Sequence, residues 1–144
     1  MAEETRIQGI EGGRAKFAWK CAKEAINKLD EKKRKDYKSY VKKIPMYIKT
    51  NGLGATLAFM CSKKDIYSYI GKQITAWLQE HPTKLIPLDG KADFETLLGK
   101  VVSLNSSTYR ALTIEVLAFL NWLRRFAEGL IEDKEEGKGH ETEI

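Results

Sequence analysis

The residues able to do covalent or metal chemistry are few and poorly spaced. Two histidines occur, His81 in a helix-ending turn and His140 in a tail of Glu, Lys and Gly. Neither has a partner at helical spacing, so neither a transition-metal site nor a histidine general base is expected. Cys21 and Cys61 lack C-x-x-C spacing and fall on apolar helical faces, the pattern of reduced, buried thiols rather than of a nucleophile. Gly52-Leu53-Gly54 resembles a phosphate loop only superficially. No third Gly, Lys-Ser or Lys-Thr follows it and no strand precedes it, so helix capping accounts for the glycines. Glu115 is the acid in the apolar middle of the long last helix, and it reads as facing solvent or pairing with a neighbouring helix. The expectation is a protein with no catalytic residue, no metal and no cofactor.

The chemistry that remains is positive charge. The chain carries a net +5, but residues 14–50 alone hold thirteen Lys and Arg against four acids, a net +9. Residues 1–13 and 132–144 are net acidic. Charge gathered into one segment is the footprint of a polyanion-binding surface. Lys16, Lys20 and Lys23 recur at i, i+4 and i+7, and Lys28, Lys35, Lys38, Lys42 and Lys49 trace a similar line, with Lys43 beside it. Lysine is a point charge on a flexible stem, suited to phosphate contact without base reading. Binding of this kind is independent of sequence and sensitive to salt. The competing reading is a lysine-rich solvated surface organised for ion-pair networks. Trp19, Trp77 and Trp122 lie on or beside apolar helical faces, which fits core or subunit contact better than base stacking.

These residues must be positioned by helices. Nothing alternates with period two for long, whereas 3.6-residue periodicity is widespread. It predicts helices over 13–29, 31–50, 53–62, 65–80 and 93–104, and a long last helix capped by Ser106 or Ser107. Pro45 predicts a kink or restart in the second. The third has almost no polar side chain and belongs in the middle of a bundle, with Leu57 and Phe59 structural. Residues 81–92, with Pro82, Pro87 and Asp89-Gly90, form the one substantial loop. The expected fold class is all-α, a single compact domain of about six helices over 13–131. Residues 1–12 read as a flexible N-terminus and 132–144 as a disordered acidic tail. The apolar runs are too short to span a bilayer, and the polar, acidic start is unlike a secretory signal, so the expected compartment is the cytoplasm.

Two blocks carry a family resemblance. Ile44-Pro45-x-x-Ile48-Lys49-Thr50-Asn51-Gly52-Leu53-Gly54-x-x-Leu57-Ala58-Phe59 resembles the small helical subunit of the Cmr complex, the type III-B CRISPR RNA-guided effector. Residues 118–127, Ala-Phe-Leu-Asn-Trp-Leu-Arg-Arg-Phe-Ala, resemble its closing helix, and the likeness spans 12–131. The resemblance implies a non-catalytic, all-helical subunit of an antiviral ribonucleoprotein. Copies stack inside the complex beside the backbone subunits, lining the channel where target RNA pairs with guide RNA. Its partners would be other Cmr subunits, copies of itself and both RNAs by backbone contact, with no membrane and no small-molecule substrate. Arg124 and Arg125, in the second block, join Lys16, Lys20, Lys23, Lys35, Lys38, Lys42, Lys43 and Lys49 as candidate nucleic-acid-binding residues. The alternatives are a helix-turn-helix DNA-binding regulator, with Thr50-Asn51-Gly52 as its turn, and a purely protein-binding helical scaffold.

Overall fold

A computed structural model describes residues 2–90 and 92–132, with the side chains of 2–8 excepted. Six helices are present and no strand occurs among the described residues: α1 (Ala2–Lys28), α2 (Glu31–Asn51), α3 (Leu53–Lys63), α4 (Asp65–Glu80), α5 (Phe94–Val101) and α6 (Ser106–Leu130). The tail expected to be disordered lies outside the described residues beyond Glu132.

Local chemistry sets most boundaries. Asp30 caps α2, its carboxylate accepting from Lys33 N at 2.8 Å, and Asp93 caps α5 by accepting from Thr96 N at 2.8 Å. The cap of α6 is Asn105, which accepts from Thr108 N at 2.9 Å, rather than either serine beside it. Asn and Ser are equivalent N-caps, so three such residues in a row leave the start open in sequence. The helix does not restart at Pro45: α2 continues to Asn51. It stops at Gly52, whose φ of 94° is strained for any residue with a Cβ, and whose N–H donates to Ile48 O at 2.8 Å. Gly54 answers a different need. Its N–H, one of the unpaired donors opening α3, donates to Tyr109 Oη at 2.7 Å. A Cβ there would stand 3.3 Å from that oxygen.

Two expected features differ. Helix α1 begins at Ala2 rather than near residue 13, passing through Gly9, Gly12 and Gly13. Each helical glycine costs about 1 kcal/mol, and tertiary contacts at Glu11 and Arg14 offset that. Helix α3 is not wrapped on all sides. Leu53, Thr56, Leu57 and Met60 are buried, but Ala55 and Ala58 face solvent and Phe59 is 37% exposed. Small outward side chains let an apolar helix expose little surface, and Cys61 is correspondingly only half-buried.

α6 packs most broadly on α1 and α2, while α3 and α4 pack on α2 and on each other, and α5 closes against α3 and α4. The core joins Ala18, Ala22 and Ala25 of α1 to Val41 and Ile44 of α2, Ile70 and Ile74 of α4, and Leu112, Val116, Phe119, Leu120 and Leu123 of α6. A buried polar ladder crosses it. Tyr37 Oη donates to Gln73 Oε1 at 2.6 Å, and Gln73 Nε2 donates to Cys21 O at 3.0 Å, tying α2, α4 and α1.

Gly71 marks the tightest approach, since a Cβ there would lie 2.4 Å from the Phe94 ring. Gly71→Ala should therefore destabilise the protein by roughly 1–3 kcal/mol through overpacking, despite alanine's better helix propensity. Urea denaturation measures it. An unchanged midpoint would mean that the Phe94 ring yields at little cost.

Candidate nucleic-acid interface

Lys42 and Lys49, two turns apart on α2, stand across a groove from Leu117, Asn121 and Arg124 on α6. Pro45 completes the lining of this groove of about 190 Å³. Both lysines are exposed and Arg124 is half-buried, with Leu117 as apolar floor. Among the described residues that line it none is acidic. Three cations converge from two rigid helices with no acid in the lining, a geometry that favours a phosphate.

The other candidate residues are distributed differently. Lys16, Lys20 and Lys23 are exposed along the outer side of α1. The Lys20 ammonium lies 5.6 Å from the Phe17 ring centre, and that of Lys23 5.8 Å from Trp19. Lys20 also borders a larger hollow of about 480 Å³ between α1 and α4, where Glu24 and Glu80 offset Lys28 and Lys72. Lys35 shares a hollow with Glu31, Lys32 and Asp36. Lys38 donates to Ile131 O at 3.2 Å and so holds the end of α6. Lys43 and Arg125 are exposed outside the groove. Arg34 is also structural: it donates to Ile26 O at 3.0 Å and Leu29 O at 3.2 Å, satisfying carbonyls at the end of α1. The +9 segment is thus divided, because helical geometry puts α1 and α2 on opposite flanks of α6. Glu115, Phe119, Trp122 and Phe126 contact α1, whereas Leu117, Asn121 and Arg124 lie about half a turn away, beside α2.

A second constellation lies in the core. Arg14 grips Glu115 with two parallel bonds, Nε to Oε2 and Nη2 to Oε1, each 2.7 Å. Its Nη1 donates to Glu11 Oε2 at 2.6 Å. Trp77 Nε1 donates to Glu115 Oε2 at 2.9 Å. His81 is 2% exposed with Nε2 facing Glu115 Oε1 at 3.0 Å, without the alignment of a full hydrogen bond. The Thr83 N–H donates to His81 Nδ1 at 3.2 Å. His81 has no partner at helical spacing, but the turn after α4 folds it inward onto α6, where Glu115 meets it from a distant part of the chain. Burial alone would push the Glu115 carboxyl up. Its bonds from Arg14 and then Trp77, with the His81 ring close by, outweigh that and hold it below the ordinary carboxylate value. The bond to Glu115 raises the Arg14 guanidinium in turn, against the opposing effect of burial. A carboxylate so engaged is a clamp and not a free base. The signal for it in sequence was Glu115 alone on an apolar stripe; its partner stands 101 residues away.

Burial pushes the Cys21 thiol up to about 12, which keeps it protonated and inert. Among the described residues, no group of three or more His, Cys, Asp or Glu is placed to hold a metal ion. The turn at Gly52 is followed by a helix whose outer side shows Ala55, Ala58 and Phe59 ahead of Lys63. A recognition helix needs polar and basic groups there.

The described residues form an all-helical protein with a groove between α2 and α6 lined by Lys42, Lys49 and Arg124. The family model described as CRISPR-associated protein (Cas_Cmr5) matches residues 10–130, and the chain belongs to that family. It is 30% identical over 101 residues to the CRISPR system Cmr subunit Cmr5 of Thermus thermophilus, covering 69% of this chain and 79% of that protein. A crystal structure of a CRISPR-associated Cmr5 family protein from Thermus thermophilus superposes with a TM-score of 0.70 at 29% identity, over 85% of this chain and 97% of the other. The resemblance read from the two sequence blocks is borne out.

The clamp predicts a pH dependence. The folded state depresses Glu115, so its contribution is full above the unfolded carboxylate range and is lost as pH falls through the lower folded value. Glu115→Gln should remove that acid-side dependence and cost about 1.5–3 kcal/mol, because the half-buried Arg14 loses its bidentate charged acceptor and keeps only Glu11. Chemical denaturation of both proteins across the acid range is the measurement. A variant as stable as the parent, with the same acid limb, would show that the clamp contributes nothing.

Proposed function

We propose that this chain is a non-catalytic small subunit of a type III-B Cmr effector, in which copies stack along the assembly and help to hold target RNA on guide RNA. The observation that carries the RNA contact is the acid-free groove of Lys42, Lys49 and Arg124 between α2 and α6. Exposed Lys43, Arg125 and the α1 lysines Lys16, Lys20 and Lys23 extend the same field, which draws a polyanion toward the groove. The partners are other Cmr subunits, further copies of this chain and the two RNAs, with no small-molecule substrate, and the compartment is the cytoplasm. No described helix is long and apolar enough to cross a membrane. Target cleavage belongs to another subunit. The mixed-charge hollow at Lys28 and Lys72, with Glu24 and Glu80 in its lining, has far less pull on phosphate.

The test is a reconstituted complex containing Lys42→Glu, Lys49→Glu and Arg124→Glu, with Lys28→Glu and Lys72→Glu as a control at the mixed-charge hollow. Each phosphate left without its cation should lower the slope of log affinity against log salt by roughly 0.7–0.9. The groove variant should bind target RNA more weakly with a flatter slope, and the control should change little. Equal behaviour of both variants and the parent, with assembly intact, would leave the groove a solvated surface and the subunit a protein scaffold.

A further inference from the structure

Core packing leaves Trp19 the most exposed aromatic side chain, ahead of Phe59. Trp19 of α1 is 44% exposed, although an indole has more to gain from burial than any other side chain. It meets Phe126 of α6 edge to face, ring centres 5.3 Å apart, and Phe126 is stacked on Trp122 at 5.6 Å. Lys23 lies over the indole, and Lys16 and Arg125 are exposed on the same two helices. Glu11, the acid at its edge, is already engaged, accepting from Trp122 Nε1 at 2.8 Å and from Arg14 at 2.6 Å.

The ridge and the basic groove are the two flanks of one surface. Between them runs the outward side of α6, through Ile114, Ala118 and Arg125. The indole, packed on Phe126, and the groove cations beside Leu117 and Asn121 thus stand on either side of α6. Cations that follow a backbone, with an aromatic face beside them, are the parts that grip a single nucleic-acid strand. In a duplex the base faces are hidden in the stack. Lysines hold a duplex and a single strand alike, but an exposed indole serves only the strand.

We infer that the outer side of α6 is a track for single-stranded RNA, with Trp19 stacking an unpaired base while Lys42, Lys49 and Arg124 hold neighbouring phosphates. The Lys23 ammonium, 5.8 Å from the indole centre, exchanges the ring for a phosphate when a base arrives. This rests on the RNA-holding reading above and adds the kind of RNA recognised: a strand with at least one base free of its complement.

The experiment uses the full chain at low salt with two probes, an oligouridylate and an RNA duplex of equal charge. Trp19→Ala should weaken binding of the oligouridylate by roughly fivefold to a hundredfold, leave the duplex unchanged and keep the salt slope. Trp19→Leu, which retains apolar bulk against Phe126 but has no ring, should behave as Trp19→Ala does, and Trp19→Phe should recover much of the loss. Lys42→Glu with Lys49→Glu should weaken both probes and flatten the slope. If the lysine variant is impaired but the Trp19 variants bind the strand normally, the inference fails while the backbone reading stands. Trp19 would then be a protein-docking residue, seen as failure of its variants to enter the reconstituted complex. Equal weakening of both probes by Trp19→Ala and Trp19→Leu also overturns it. No effect of the lysine variant on either probe removes the RNA-holding reading itself.

Discussion

The buried carboxylate of Glu115 constrains the fold more than any other side chain. An ionised group inside a bundle is tolerable only if its partners are supplied by the surrounding elements. Here they come from α1 through Arg14, from the end of α4 through Trp77, and from the turn beyond it through His81. Apolar contacts accept small slides between helices, because one methyl group replaces another at similar energy. A bidentate bond at 2.7 Å does not. The clamp therefore specifies the register of α1 on α6, and with it the outward direction of Lys16, Lys20 and Lys23.

That register decides how the basic charge is presented. Residues 14–50 form one cationic run in sequence, but the two helices that carry it pack mainly on α6, on faces about half a turn apart, and touch each other little. The screening length at physiological salt is about 8 Å, less than the roughly 10–12 Å width of the helix on which both pack. The α1 ridge and the α2–α6 groove therefore act on a ligand as separate patches at short range. Their sum is felt only by an approaching polyanion. Arg14 and Arg34, counted by composition as part of the footprint, are engaged inside the protein by Glu115 and by the carbonyls ending α1.

What was legible in sequence is what local chemistry dictates. The apolar stripe from Ile66 to Leu78 and the stop at His81-Pro82 fix α4 as Asp65–Glu80, and Gly52 separates α2 from α3 as its position after an apolar stripe suggests. What was not legible depends on residues far apart along the chain. The N-terminal extension of α1 is supported by Glu11 against Trp122, 111 residues away. The burial of His81 depends on a carboxylate on another helix. The exposure of Phe59 follows from which side of α3 its neighbours leave open, which periodicity cannot reveal when nearly every position is apolar. The candidate cations were found by charge and spacing alone. Only the packing of α2 on α6 selects Lys42, Lys49 and Arg124 from among them.

The block around Gly52, which carries no chemistry of its own, then acquires a role. Gly52 turns the chain, and Gly54 lets the Tyr109 hydroxyl reach the first turn of α3, pinning the start of α6. Glu115 pins its middle, and Lys38, bonded to Ile131 O, pins its end. Leu117, Asn121 and Arg124 lie between these fixed points on an unbroken helix. A cation on a mobile loop loses part of its binding energy to the cost of being ordered. Here the backbone bearing Arg124 is already ordered, and only the ends of the lysine stems remain to be fixed. A weak electrostatic groove of this kind gains most from repetition, because each added copy presents the same rigid spacing to a continuous strand and multiplies affinity by avidity.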